Sequence, residues 1–150
     1  MTLAVEEARV RKLFDLVEAA EEAANSLDPD NELRTRLFRA AHAVLADEAT
    51  IRPVIAADLL GLSEKTVRAW AAKGVLTVVR RNPRMLLDTV SVHLVSHLVR
   101  DIRAAGKDRD LLDEVWQRLS DQALLDRDDL KESLEQMRQG KGRVLRPLPR

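Results

Sequence analysis

The sequence predicts a mostly helical protein with one small β-hairpin. Three observations carry that reading. The chain is rich in Ala, Leu, Glu and Arg and holds only five Gly and five Pro in 150 residues, a helix-forming composition. Apolar residues recur at helical spacing along most of its length. One short β-branched run, LTVVRR (76–81), interrupts that spacing. The length suits one domain or two very small ones and can bury a core without disulfides. Four parts follow: an N-terminal helical hairpin (1–50), a central domain (51–106), C-terminal helices (107–139) and a basic flexible tail (140–150).

The first helix places Val10, Leu13, Phe14 and Val17 on one stripe and ends near NSLDPDN (25–31). Asp28 or Asp30 is the expected N-cap of the second helix, whose stripe is Leu33, Leu37, Ala41, Val44 and Leu45. The short connection makes the two a helical hairpin. DEATIRP (47–53) is read as a break, with Pro53 in the first turn of a new helix.

VIAADLL (54–60) is a short helix of small packing residues, closed by Gly61 in a left-handed turn. Leu62 plugs the angle that follows. Ser63 caps SEKTVRAWAAK, in which Val67 and Trp70 or Ala71 face inward. LTVVRR and MLLD (85–88) flank the turn RNPR (81–84) as two short strands. DTVSVHLVSHLVRDIRAAG (88–106) is a helix capped by Asp88 or Thr89 and ended by Gly106, with Val92, Leu94, Val95, Leu98, Val99 and Ile102 as its apolar set. Two shorter helices complete the chain. One (108–119) turns Leu112, Val115, Trp116 and Leu119 inward. The other (126–140) has the narrow stripe Leu130, Leu134, Met137.

Net charge is zero, yet charge is segregated. Residues 1–50 hold 6 basic and 11 acidic side chains, residues 51–107 hold 10 and 4, residues 108–139 hold 5 and 10, and residues 140–150 hold 4 and none. A local basic block is the electrostatic footprint of a nucleic-acid binder. With no Tyr, two Phe and two Trp, the chain lacks a stacking platform for single strands. It has no Cys, which excludes disulfides and thiolate metal sites and points to a reducing cytoplasm. The acidic N-terminus lacks an apolar signal core, and no run is long enough for a membrane helix.

Within the basic block, two short helices joined at Gly61–Ser63 have the layout of a helix-turn-helix, whose second helix enters the major groove by its N-terminal residues. Lys65, Thr66 and Arg68 lie there. Arg and Lys reach guanine edges or phosphates; Thr reaches a phosphate or a thymine methyl.

The register A-A-x-L-L-G-L-S-x-x-T-V-R-x-W-x-x-x-G-V-L, with a basic hairpin and a helix after it, resembles the winged helix-turn-helix of MerR-type and excisionase-type DNA-binding proteins over about residues 53–100. The resemblance matches Thr66, Arg68 and Trp70 to the family's recognition helix, and Gly74, Val75 and Leu76 to its exit. It implies a wing at 77–87, with Arg80, Arg81 and Arg84, beside Lys73, on phosphates. The expected fold is thus mostly α: a winged helix-turn-helix core between an N-terminal helical hairpin and C-terminal helices. Metal-sensing members of that family use Cys and dimerise through one long C-terminal helix. Here Cys is absent, and the periodicity predicts two shorter helices.

Other chemistry is weakly signalled. His93 and His97 are spaced i, i+4 and could face one metal, but no H-E-x-x-H glutamate or Cys completes them, so no metal and no cofactor is expected. The carboxylates fit solvated helix faces, and neither a phosphate-cradling Gly loop nor a nucleophile elbow occurs, so no enzyme is expected. The expected function is a cytoplasmic, homodimeric transcriptional regulator that binds double-stranded DNA. Its layout is also similar to antitoxins of toxin–antitoxin pairs, which implies an autoregulating repressor with a toxin bound through residues 126–150. The alternative is a helical protein-interaction module without DNA.

Overall fold

The computed structural model describes residues 2–48, 50–107 and 109–138. The basic tail at 140–150 and the side chains of Leu130, Leu134 and Met137 lie outside the described residues. The described chain is mostly helical, with six helices and a small three-stranded antiparallel sheet. It divides into two compact units, residues 1–107 and 108–150.

In the first unit, α1 (Leu3–Asn25) buries Val10, Phe14, Val17 and Ala24. The Thr2 hydroxyl caps it by accepting the Val5 N–H at 3.3 Å. α2 (Glu32–Glu48) packs against α1 as a helical hairpin. Its cap is Asn31 rather than Asp28 or Asp30: Asn31 Oδ1 accepts the Leu33 N–H at 2.9 Å because Asn31 stands directly before the first helical residue. Ala41 and Leu45 are its buried residues, whereas Leu33 and Val44 are exposed. The inner face therefore runs along 34, 37–38, 41, 45 and 48, rotated from the apolar stripe expected.

The segment read as a break between the hairpin and the next helix contains a strand. β1 (Thr50–Ile51) pairs antiparallel with β3 (Leu86–Asp88), Thr50 opposite Asp88 and Ile51 opposite Leu87. β2 (Val78–Arg80) pairs with the other edge of β3 through an irregular register, so the expected hairpin is the outer part of a sheet ordered β1-β3-β2. Ile51 and Leu87 are fully buried, which explains why so short a strand is held.

α3 (Pro53–Leu60) has Pro53 at its first turn and ends at Gly61, whose φ of 67° is left-handed. α4 (Glu64–Ala72) follows after one further turn. α5 (Thr89–Ala104) is capped by Asp88, whose carboxylate accepts the Ser91 N–H at 2.9 Å. Leu94, expected in the core, is 45% exposed, and His93 takes its place on the buried side. The core joins Ile55, Ala56 and Leu60 of α3, Val67, Trp70 and Ala71 of α4, Val75, Leu76, Leu87, and Val92, Val95, Val99 and Ile102 of α5.

The helical hairpin docks on this core. Arg52 pairs with Glu6 at 3.0 Å and Arg11 pairs with Asp58, while Arg9 pairs with Glu48 within the hairpin itself. The Arg11 guanidinium holds the Asp58 carboxyl below the ordinary range, while hydrogen bonding to Asp58 and its charge push the neighbouring Glu7 up.

In the second unit, the two expected helices are one. α6 (Leu111–Arg138) is continuous for 28 residues. The segment SDQALLD (120–126) contains neither Gly nor Pro, so nothing ends the first helix. Trp116, expected in a core, is 50% exposed. Among the described residues no helix is long and apolar enough to cross a membrane.

Candidate nucleic-acid interface

The α3–α4 corner is built by local chemistry. Gly61 supplies the left-handed turn, from which the Leu62 N–H reaches back to the Ala57 carbonyl at 2.9 Å. Ser63 then opens α4: its hydroxyl accepts the Thr66 N–H at 3.1 Å, satisfying one of the free donors of the first turn. The Thr66 hydroxyl lies 2.8 Å from the Ser63 hydroxyl, so Thr66 is half-buried and engaged with the cap. Arg103 of α5 reaches across and donates to the Leu60 carbonyl at 3.0 Å and the Gly61 carbonyl at 3.1 Å. The corner is thus tied to the helix that follows the sheet.

Val67, Trp70 and Ala71 fix the rotation of α4 by facing the core. Glu64, Lys65, Arg68, Ala69 and Ala72 are left on its exposed side. Ala69 and Ala72 are small enough to let another backbone approach that side closely. Arg68 is not free: its Nε and Nη2 donate to Glu64 Oε2 at 3.0 and 2.9 Å. Lys65 has no ion-pair partner among the described residues, and neither does Lys73, which ends the helix.

Gly74 (φ 83°) turns the chain away from α4, and Val75 and Leu76 anchor it in the core before β2. The Thr77 N–H donates to the Ser91 hydroxyl at 3.0 Å, and the Thr77 carbonyl accepts the Asp88 N–H at 2.9 Å. These bonds hold the β2–β3 connection from below. Arg80 on β2 and Arg81 and Arg84 in the turn are all exposed, again without acidic partners among the described residues. From Lys65 to Leu87 the chain carries six cationic side chains and no carboxylate. The residues expected to contact DNA thus fall on two successive exposed segments, the outer side of α4 and the β2–β3 turn. Thr66 differs from the others in being half-buried.

A second cluster joins residues that are 76 positions apart in sequence. His93 and His97, one turn apart on α5, meet Glu18 and Glu21, one turn apart on α1. Glu21 Oε1 lies 3.2 Å from His93 Nε2 and 3.1 Å from His97 Nε2, and the two Nε2 atoms are 3.2 Å apart. Glu18 Oε2 is 3.2 Å from His97 Nε2, while its other oxygen pairs with Arg100. Phe14 packs edge-on against the His93 ring, with centroids 5.6 Å apart. Burial pushes the His93 imidazolium down, with His97 adding to the effect and Glu21 and Glu18 opposing it. The i, i+4 histidine spacing was visible in the sequence. The matching i, i+3 pair of Glu on α1 was not singled out, because many carboxylates there have similar spacing.

No family model, no curated protein and no solved structure matches the chain.

Proposed function

We propose that residues 51–106 act as a winged helix-turn-helix and that the chain is a sequence-specific, DNA-binding transcriptional regulator. α4 enters the major groove by its N-terminal end. Lys65 and Arg68 reach base edges and adjacent phosphates, while Thr66 holds the cap that aims them. Lys73 and the β2–β3 turn, through Arg80, Arg81 and Arg84, grip phosphates on either side. The observation that carries this reading is the acid-free run of six cations placed outward on a capped second helix and the following turn. Phosphate contact needs accessible cations on rigid elements; five of the six have no acidic partner among the described residues, Arg68 alone being paired with Glu64, and both segments are held from the core side by named bonds.

The continuous α6 supports a homodimer. A two-helix reader gains discrimination by presenting two copies to two half-sites, and a long helix with Leu124 and Leu125 exposed is suited to a partner helix. It also removes one departure from the MerR-type layout. An autoregulating repressor of the antitoxin kind is a narrower form of the same reading, in which the acidic α6 and the basic segment after it cover a toxin.

The test is binding to a labelled duplex from the region upstream of the coding sequence, in competition with a scrambled duplex. Preference for the native duplex, lost in Arg68→Glu, supports a regulator that reads its own promoter. Equal binding to both duplexes rules out that operator. A chain that ignores DNA yet self-associates through exposed Trp116, Leu124 and Leu125 would instead be a helical interaction module.

A further inference from the structure

We propose that Glu18, Glu21, His93 and His97 form a binding site for one divalent transition-metal ion of the zinc class, clamping α1 to α5. His93 Nε2, His97 Nε2 and Glu21 Oε1 form a nearly equilateral triangle with edges of 3.2, 3.1 and 3.2 Å. A tetrahedral zinc ion with ~2.05 Å bonds separates its ligand atoms by about 3.3 Å, so this triangle is close to one face of such a site. Glu18 Oε2 lies 3.2 Å from His97 Nε2, and one ligand atom from each of the four residues lies within 4.8 Å of the others, so a small shift of the Glu18 side chain brings a carboxylate oxygen to the fourth corner.

Hydrogen bonding alone serves this arrangement poorly. Each neutral imidazole Nε2 carries either one proton or one lone pair, and each carboxylate oxygen only accepts. His97 Nε2 faces three ligand atoms at once: Glu18 Oε2, Glu21 Oε1 and His93 Nε2. One proton can serve one of them, which leaves lone pairs or N–H groups opposed at the other contacts. A cation at the centre accepts all four lone pairs. The donor set is two imidazoles and two carboxylates without sulfur, which suits zinc and its first-row neighbours better than a soft ion.

The surroundings are those of a built site. His93 is only 6% exposed, and its ring packs edge-on against Phe14. Arg100 holds the free oxygen of Glu18, as outer partners commonly fix a ligating carboxylate. Two ligands come from each of two helices distant in sequence, so the ion would pin the N-terminal hairpin to the core. This proposal is independent of the DNA reading, because it stands on other residues.

The test uses the full-length, untagged chain, stripped with a chelator and titrated with Co2+ and then Zn2+. One equivalent of Co2+ should bind with visible d–d bands that Zn2+ displaces, and zinc should raise Tm. His97→Gln and Glu21→Gln should each weaken zinc binding by at least about tenfold, since outer-shell changes alone cost that much. His42→Gln, on the exposed side of α2, should leave it unchanged. Should the variants misfold, 15N spectra of the wild-type imidazoles serve instead: zinc should move the Nε2 signals of two of the three histidines. A folded wild-type chain that takes up neither ion overturns the proposal. So does zinc binding that is equal in wild type and both ligand variants, or that moves the His42 signal alone.

Discussion

Arg103 closes over Gly61. Its guanidinium bonds the Gly61 and Leu60 carbonyls, and a Cβ built on Gly61 would stand 2.9 Å from Arg103 Nη1. The turn that aims α4 therefore depends on glycine for its left-handed φ, and the Arg103 guanidinium, the far end of a flexible side chain, must shift to admit a Cβ. Gly61→Ala should lower stability by about 1–2 kcal/mol from the backbone term, with a further loss from the displaced guanidinium. Urea unfolding of Gly61→Ala, Arg103→Ala and the double variant checks this. The double variant should be more stable than the two single losses predict when added, because removing Arg103 relieves the clash.

Ser63 is the next joint. Its hydroxyl accepts the Thr66 N–H and bonds the Thr66 hydroxyl. Ser63→Ala should cost about 1 kcal/mol, and Ser63→Asp should recover most of it, because a carboxylate caps equally well. Hydrogen exchange of the amides at 65–67 locates the effect: it should accelerate there first.

The two tryptophans lie in opposite environments. Trp70 is 3% exposed and Trp116 is 50% exposed. Trp116→Phe should leave a protein with blue-shifted emission that acrylamide quenches weakly. Trp70→Phe should leave red-shifted, readily quenched emission. Similar spectra for the two variants would contradict the placement of Trp116.

Glu64 restrains Arg68 in the free protein by accepting from its Nε and Nη2 on one oxygen, Oε2. Removing that carboxylate frees a cation at the start of α4 and takes a negative charge from the surface proposed to meet phosphates. Glu64→Gln should therefore tighten duplex binding, opposite in sign to Arg68→Ala, and steepen its salt dependence by up to about one unit of log–log slope. Anisotropy titrations at several salt concentrations read both quantities. Weaker binding by Glu64→Gln would mean that the ion pair positions Arg68 rather than restrains it.

What the sequence revealed was local. Ser63, Gly61, Asp88 and Pro53 act within a few residues of themselves, and each stands where its chemistry predicts. β1 is a different case. Thr50 and Ile51 are a strand only because Leu87 and Asp88 lie alongside, and two residues have no periodicity to detect. α6 reads as two helices because its apolar stripes fall in two sets, Leu112 to Leu119 and Leu130 to Met137, yet no breaker residue lies between them, so the backbone continues. Helical spacing put Leu94 in the core, whereas contact with α1 turns His93 inward and leaves Leu94 outside. The cations of α4 and the β2–β3 turn were legible as a basic block. The Glu64–Arg68 pairing and the hydroxyl bond that engages Thr66 with Ser63 were not, because both depend on side-chain placement. The cluster at Glu18, Glu21, His93 and His97 depends on helix docking and was half visible.

Salt-dependent anisotropy on a native and a scrambled duplex tests the DNA reading most directly, comparing wild type, Arg68→Ala and the triple variant Arg80→Ala/Arg81→Ala/Arg84→Ala. Wild type should bind the native duplex preferentially, with affinity falling as salt rises. The triple variant should lose affinity for both duplexes alike, with a slope smaller by roughly 2–3 units, the value for three lost phosphate contacts. Arg68→Ala should lose about 1–3 kcal/mol on the native duplex and much less on the scrambled one. Wild-type protein that fails to bind either duplex at low salt, or variants indistinguishable from it, would contradict the assignment of α4 and the β2–β3 turn as the DNA-reading surface.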